Sequence, residues 1–407
     1  MTASFPSTQF DDPADSIDIA RNVAPTTVGW PRVLLFTDSD AFAGTERHIL
    51  DLAASLPAQG VGVGIACPAP SPLAERAVSM GIPVTPIAKR GLLDQTALKS
   101  LRSLFKQNSV DVIHVHNGRT AMLAAIAHRL AGRGHCVSTQ HFITPSRVNR
   151  KGLTAVLSRM AHGWVANHTD RFIAVSRAVE RGMAERDDGQ PGRIFIIPNG
   201  IADFDSSSIS PAAKVRQELG IGPNTPLIVA ATRLAPEKAV DSLVDAMAQL
   251  RTKHPTACCV IAGEGSEHAA LASRIEHLGL GESVRLLGFR NDVGSLIAAC
   301  DVFVLPSVNE PFGLVLLEAM ALSRPVVSTA AGGPLEIVEE ASTGLLVAPR
   351  RPDALADAIG RLLSDRPAAQ EMGRRGRLHF EKHYTAGAMA AATAAVYRRA
   401  VAGDENH

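Results

Sequence analysis

Aromatic residues and net charge are both scarce in this sequence. Phe, Trp and Tyr make up 4% of its 407 residues, which disfavours a binding module built from stacked rings. The 41 basic side chains are balanced by 40 acidic ones, so the formal charge is +1. Proteins that bind nucleic acid commonly carry a broad basic surface. We therefore expect no nucleic-acid partner.

Paired cysteines and long apolar runs are missing as well. The five cysteines are scattered and include no CxxC pair, which indicates reduced thiols, a cytoplasmic location and no zinc site. No apolar run reaches the roughly 18 residues of a membrane-spanning helix. Residues 1–20 contain Asp but neither Lys nor Arg, unlike a signal peptide. Any membrane contact is therefore expected to be peripheral.

The sequence does contain short β-branched runs that alternate with segments of helical period. The predicted strands are 32–36, 61–66, 111–116, 135–139, 171–175, 193–197, 226–231, 257–262, 283–287, 301–305, 325–329 and 344–347. A chain of this length is expected to form two cores. The pattern predicts an α/β protein with two doubly wound domains, joined by the polar stretch 201–211. Such domains bind ligands at the carboxyl ends of their strands, which here would face a shared cleft.

The most informative motif is EPFGLVLLE, residues 310–318. Glu310 and Glu318 flank the predicted start of a helix, and Gly313 and Leu314 lie at its N-terminus. Free backbone N–H groups and the helix dipole favour an anion such as phosphate there. Glu318 can accept hydrogen bonds from a ribose and Glu310 from a sugar. An ordinary helix start with a solvated glutamate is the alternative.

A second motif, TRLAPEK at residues 232–238, follows a predicted strand. Arg233 lies at the strand's carboxyl end, and Lys238 is predicted in the first turn of the next helix. A lysine is mildly unfavourable for the dipole at that position. Two cations there fit a diphosphate, which Arg binds in bidentate fashion and Lys binds as a point charge. Two solvated surface cations are the alternative.

The first half offers weaker signals. Gly44 opens the helix after the first strand and would let the backbone approach a ligand. His141 closes a strand and is a candidate for the cleft, although a lone histidine is more often satisfied within a loop. His114 and His116 share one face of a strand and are weaker candidates as ligands. Asp38-Ser39-Asp40 resembles a metal-binding DxD motif, but we interpret these residues as turn acids, so no metal is indicated.

The segment 146–162 is basic and partly apolar. It contains Arg147, Arg150, Lys151 and Arg159. A face of this kind fits anionic lipid or a phosphorylated acceptor. A solvated helix face is the more common explanation of such a charge run.

Together, the motifs resemble the retaining glycosyltransferases of family 4. The resemblance covers residues 32–399 and is most specific in residues 233–246 and 286–346, which include EPFGLVLLE and PVVSTAAGGPLEIV. Other similar segments are AGTERHILDLA, DVIHVHN, TQHF, DRFIAVSRAV and IFIIPNGI. This family has the GT-B fold, in which two Rossmann-like domains face each other across a cleft, and it uses nucleotide-diphosphate sugars. The implied division is a flexible tail (1–30), an acceptor-side domain (31–205), a donor domain (206–385) and a C-terminal helix (386–407) that crosses back to the acceptor-side domain.

The resemblance also implies roles for individual residues. Arg233 and Lys238 would hold the diphosphate, Glu318 the ribose and Glu310 the donor sugar. The implied donor-binding residues are Gly44, Arg233, Lys238, Glu310, Phe312, Gly313, Leu314 and Glu318, with Phe312, Gly313 and Leu314 acting through backbone N–H groups. The implied catalytic residues are His141, Glu310, Arg233 and Lys238.

Two positions depart from the family pattern. Ala43 replaces a glycine of the first loop, which puts the path of that loop in question. No glycine follows Lys238, and we expect this departure to affect packing alone.

The implied activity is transfer of a hexosyl group, with retention, from a UDP- or GDP-sugar to a glycan or lipid-linked acceptor. No cofactor is implied. The expected setting is cell-envelope polysaccharide, lipopolysaccharide or glycolipid synthesis, in the cytoplasm or at the inner face of an anionic membrane. The alternatives are a nucleotide-sugar epimerase or hydrolase of the same architecture, and a catalytically silent sugar-nucleotide-binding subunit.

Overall fold

A computed structural model describes residues 31–87, 95–107, 109–143, 153–186, 188 and 192–402 of the chain. For residues 153–159 it describes the backbone alone. The predicted tail, 1–30, lies outside the described residues. So do Arg147, Arg150, Lys151 and the side chain of Arg159, which carry the predicted basic face.

The first half forms a seven-stranded sheet in the order β3-β2-β1-β4-β5-β6-β7. Every pairing in it is parallel. Its strands are β1 (Arg32–Phe36), β2 (Gly62–Cys67), β3 (Val84–Pro86), β4 (Val112–Val115), β5 (His135–Gln140), β6 (Arg171–Ala174) and β7 (Ile194–Ile196). The central strands are apolar and buried because helices cover both faces of a doubly wound sheet.

The second half forms a six-stranded parallel sheet in the order β10-β9-β8-β11-β12-β13. Its strands are β8 (Leu227–Ala231), β9 (Cys258–Ala262), β10 (Val284–Gly288), β11 (Val302–Leu305), β12 (Val326–Thr329) and β13 (Gly344–Val347). Both predicted sheets are therefore present. β3 is not among the predicted strands, because this edge strand has three residues, ends in proline and carries too little pattern to be recognised.

Fifteen helices are found in the described residues. They are α1 (Gly44–Ser55), α2 (Pro72–Ser79), α3 (Gln95–Lys106), α4 (Gly118–Ala131), α5 (Leu153–Asn167), α6 (Arg177–Ala184), α7 (Ala212–Glu218), α8 (Val240–Leu250), α9 (His268–His277), α10 (Val293–Ala299), α11 (Leu314–Ala321), α12 (Pro334–Ile337), α13 (Pro352–Ser364), α14 (Arg366–His383) and α15 (Ala386–Ala402). In this described part of the chain, no helix is long and apolar enough to cross a membrane.

The last helix, α15, returns to the first sheet. It packs against α1, and its side chains Met389, Ala394 and Tyr397 are buried in the core of the first half. Where the chain crosses back, the N–H of Ile201 donates to the carbonyl oxygen of Tyr384 at 3.0 Å. The two crossings between the halves, near residues 201 and 385, therefore lie side by side.

All five cysteines are free and buried. Burial raises the pKa of the Cys67 thiol to about 11. These thiols pack as small apolar side chains, in agreement with the expectation of reduced cysteines.

Candidate functional site

The two halves meet at the start of α1 and the start of α11. A Cβ placed on Gly44 would lie 3.5 Å from Cδ1 of Leu314, which is ordinary van der Waals contact. Both positions follow a strand, β1 and β11, at the point where strand order reverses in its sheet. Doubly wound folds bind ligands at such switch points. The structure thus brings together Gly44 and the EPFG loop, which the sequence placed at one cleft.

Lys238 and Glu310 form an ion pair at this place. The Lys238 Nζ donates to Glu310 Oε2 at 2.7 Å, and the Ser307 hydroxyl donates to the same oxygen at 3.0 Å. The side chains of the pair are 17% and 9% exposed. The Glu310 Cγ also lies 3.6 Å from the position of a Cβ on Gly313. The sequence predicted both charged residues at the site, but not that they pair.

The prediction that Lys238 lies in the first turn of a helix is wrong. Lys238 ends a separate 3-10 turn, Pro236–Lys238, and α8 begins only at Val240. Ala239 between them adopts φ +48°, a left-handed conformation that separates the two helical segments. Glycine reaches this region without the steric cost that Ala meets. The missing glycine after Lys238 therefore affects the backbone, and our expectation that it would affect packing alone is also wrong.

No side chain of the described residues caps the start of α11. Gly313 is the residue before the helix, has φ +108° and has no side chain to cap the first N–H groups. Phe312 buries its ring beside Tyr384, with the two ring centroids 6.2 Å apart, and its backbone packs closely against Gly333. The helix begins where the sequence predicted it, and binding of an anion by Gly313 and Leu314 stays a prediction.

Glu318 lies in the second turn of α11 and faces α1 of the first half. Burial raises its pKa to about 7, against the lowering effect of Arg47, while nearby Asp51 raises it further. Arg47 Nε donates to Asp51 Oδ2 at 2.8 Å within α1. The charges of Arg47 and Asp51 therefore act on Glu318 across the two halves, and no sequence pattern marks either residue as part of the site.

Arg233 is placed differently from Lys238. Its guanidinium donates to Glu237 Oε1 at 2.5 Å, and its side chain is 68% exposed. The structure therefore does not bring Arg233 into the Lys238–Glu310 pair, and its contact with a diphosphate stays a prediction.

His141 follows β5 and is buried, and it is joined to His116. His116 Nδ1 and His141 Nε2 lie 3.2 Å apart. Burial, together with the nearby His48 and His114, lowers the pKa of His141 well below its usual value. Burial lowers the pKa of His48 to about 4. His141 is therefore a neutral imidazole near pH 7.

His114 and His116 have different partners although both leave the same strand. His114 Nδ1 lies 2.6 Å from the Tyr397 hydroxyl of α15, and its Nε2 lies 2.7 Å from Thr139 Oγ1. From the sequence His116 is a weaker candidate as a ligand, yet the structure places it against His141. The sequence feature that could have indicated this contact is a histidine directly after each of β4 and β5, which pair in the sheet.

His48, His116 and His141 have ligand atoms within 4.8 Å of one another. A tetrahedral zinc ion with Zn–N distances near 2.0–2.1 Å would need nitrogens about 3.4 Å apart. His116 Nε2 has no hydrogen-bond partner in the described residues, so the outer acceptor that metal-bound imidazoles use is missing. The absence of a metal at these three histidines stays a prediction. Asp38 pairs with Arg119 at 2.8 Å, as expected for a turn acid.

Known protein families match both halves of this chain. Residues 42–203 match the family described as Glycosyltransferase Family 4, and residues 212–379 match Glycosyl transferases group 1. A glycogen synthase of Mycobacterium tuberculosis is 32% identical over 299 residues, which are 72% of this chain and 70% of that protein. An Escherichia coli UDP-Gal:alpha-D-GlcNAc-diphosphoundecaprenol alpha-1,3-galactosyltransferase is 28% identical over 280 residues, covering 67% of this chain and 71% of that one.

A solved structure with the same architecture is that of Anabaena HepE in complex with UDP and glucose. It superposes with a TM-score of 0.77 at 25% identity, over 90% of this chain and 99% of that one. The two parallel sheets described above are therefore the two Rossmann-like domains of the GT-B fold. The chain belongs to the family 4-like glycosyltransferases of GT-B fold, and it is a hexosyltransferase.

Proposed function

We propose that this chain transfers a hexosyl group, with retention of anomeric configuration, from a UDP-sugar to a glycan or lipid-linked acceptor. The observation that carries the proposal is the Lys238–Glu310 pair beside the uncapped start of α11. One cation and a helix N-terminus suit the diphosphate, and the carboxylate suits the sugar attached to it.

The leaving group of such a donor is a nucleoside diphosphate. As the bond from C1 of the sugar to the diphosphate oxygen breaks, negative charge grows on that oxygen. The Lys238 ammonium and the N–H groups of Gly313 and Leu314 are held in place before reaction, so they can stabilise this charge without reorganisation. Arg233 would add a second cation after turning from Glu237. Gly44 lets the first domain's loop close over the phosphates.

The sugar side needs groups that tolerate growing positive charge. The Glu310 carboxylate pairs with Lys238 and can accept hydrogen bonds from sugar hydroxyls. His141 is neutral because its pKa is lowered, so it can hydrogen-bond the sugar without repelling an oxocarbenium-like transition state. Glu318 would accept hydrogen bonds from the ribose hydroxyls.

For retention, we favour front-face attack. The acceptor oxygen bonds to C1 on the face from which the diphosphate leaves, and a phosphate oxygen of the leaving group takes the acceptor's proton. No additional base is required in this scheme. Closure of the two domains would exclude water from the reaction.

Two similarities support a UDP-sugar as the donor. The HepE structures hold UDP, and the E. coli relative is named for UDP-Gal. That relative's diphosphoundecaprenol acceptor supports a lipid-linked acceptor and a role in envelope polysaccharide synthesis here. An anionic inner membrane surface is the proposed peripheral partner. The basic segment that would meet it lies outside the described residues.

The proposal is tested by a donor screen followed by product analysis. UDP-sugars should raise the melting temperature of the protein more than GDP- or ADP-sugars do, because a ligand that binds the native state stabilises it. Proton NMR of the product should then show the donor's anomeric configuration. An inverted product would refute front-face retention. An epimerised or hydrolysed donor formed equally well with and without acceptors would favour the epimerase or hydrolase alternative.

A further inference from the structure

Two side chains join the domains beside the loop that carries Glu310. The first is Ser176, the residue before α6 in the first domain. Its hydroxyl oxygen accepts the N–H of Val179 at 3.2 Å and caps the helix. The same hydroxyl donates to the carbonyl oxygen of Pro311 at 2.7 Å. Pro311 directly follows Glu310 in the second domain, so one buried hydroxyl links a helix start in one domain to the sugar-binding loop of the other.

The second side chain is Glu336 on α12 of the second domain. Its carboxylate accepts the N–H of Arg177 at 2.9 Å through Oε1 and at 3.1 Å through Oε2. Oε1 also lies 3.4 Å from the N–H of Ala178. First-turn N–H groups have no acceptor within their own helix and carry the positive end of its dipole. Glu336 therefore completes, from the second domain, the capping of a helix in the first.

These contacts are tied to each other through the second domain. The N–H of Gly333, just before α12, donates to the carbonyl oxygen of Glu310 at 2.8 Å. The Tyr384 hydroxyl donates to the carbonyl oxygen of Glu336 at 2.8 Å, which fixes α12 against the crossing segment. A shift of α6 away from the second domain would break the contacts to both Pro311 and Glu336.

We propose that Ser176 and Glu336 form an interdomain latch that holds the cleft closed and keeps the Glu310 loop in its reactive position. Both are positioning residues, since they act through the backbone of α6 and of the loop. When the domains separate, water must replace the carboxylate at the start of α6 and the hydroxyl at Pro311. The structural part of this inference stands independently of the donor, and only its catalytic consequence rests on the proposed function.

The latch is tested by the distance between the domains in ligand-free, full-length protein. Spin labels on Arg129→Cys and Lys253→Cys report this distance by pulsed dipolar spectroscopy. Both positions are exposed, and the five native cysteines are buried. In Glu336→Ala the ratio of closed to open molecules should fall about tenfold, as expected for loss of hydrogen bonds to a charged group. Glu336→Gln keeps an acceptor oxygen, so its ratio of closed to open molecules should lie between those of Glu336→Ala and the unsubstituted protein.

Matched controls separate the latch from ordinary loss of stability. Ser176→Ala also removes a helix cap, and so does Ser71→Ala, which removes the cap of α2, another eight-residue helix of the first domain. Both should lose similar stability, but only Ser176→Ala should widen the interdomain distance. Glu339→Ala, three residues beyond Glu336, should leave that distance unchanged.

The catalytic readout uses UDP-glucose. A loosened latch should lower kcat more than it raises KM, and should raise the share of donor lost to water severalfold. Unchanged distances in both Glu336→Ala and Ser176→Ala would overturn the latch. If the wild-type protein shows no turnover but the distances still shift in the two variants, the proposed function is refuted and the latch is supported.

Discussion

Ionised Glu318 should lower the stability of the folded protein, and Glu318→Gln tests this directly. Its pKa in the folded protein is about 7, against an ordinary value of 4.5, because burial penalises the carboxylate. A pKa raised by folding gives stability that is present below the unfolded value and is lost as pH rises through the folded value. The shift corresponds to about 3 kcal/mol, of which ~2–3 kcal/mol is lost between pH 5 and pH 8.

Glutamine imitates the protonated acid at every pH. The midpoint of urea unfolding of Glu318→Gln, relative to wild type, should therefore rise from pH 5 to pH 8 by the equivalent of ~2–3 kcal/mol. Other titrating groups cancel in this comparison. Glu276→Gln, on an exposed position of α9, should show a constant offset.

Donor binding should respond in the opposite sense. A ribose diol needs acceptors, so the affinity of wild type for UDP should increase as Glu318 ionises between pH 6 and pH 8. In Glu318→Gln the affinity should be weaker and nearly independent of pH in that range. A stability offset between wild type and Glu318→Gln that does not change with pH would refute the assignment of a raised pKa to this carboxyl.

Substitutions at three other positions probe the surroundings of the site. Ala239→Val places a β-branched residue at φ +48° and should destabilise the protein by about 2 kcal/mol or more in thermal unfolding. Ala239→Gly should stay within about 1 kcal/mol of wild type. Equal unfolding midpoints of the two variants would contradict backbone strain at this position. Tyr397→Phe leaves His114 Nδ1 without its partner and should cost about 1–3 kcal/mol in the same assay, so an unchanged midpoint would argue against this hydrogen bond. His116→Ala removes the side chain that contacts the His141 ring, and it should lower kcat about tenfold or more with little change in the Kd for UDP. An unchanged kcat in this variant would show that His141 does not need His116 to position it.

The fold was largely predictable because parallel strands buried on both faces leave strong apolar runs in the sequence. β8 and β11 were recognised for this reason, whereas β3 is short, lies at an edge and ends in proline. Helix starts were less certain. The helix boundary at Lys238 was not predicted, because it depends on the left-handed conformation of a single residue, Ala239, which separates the 3-10 turn from α8.

The site was predictable where one segment supplied it, as in residues 310–318. Contacts between distant segments were not predictable from local patterns. The approach of His116 to His141 depends on the pairing of β4 with β5, whereas those of Arg47 to Glu318 and of Glu336 to α6 depend on how the two domains pack. Arg47 and Glu336 are ordinary polar positions when the sequence is read segment by segment.

The central claim is that Lys238 and the start of α11 form the diphosphate site. Calorimetric titration with UDP tests it most directly, comparing wild type with Lys238→Ala and with Lys253→Ala, an exposed lysine in the same domain. Loss of a charge-assisted contact should raise the Kd of Lys238→Ala about tenfold or more. Lys253→Ala should match wild type. Equal affinity for UDP in all three proteins would contradict the placement of the donor at this site.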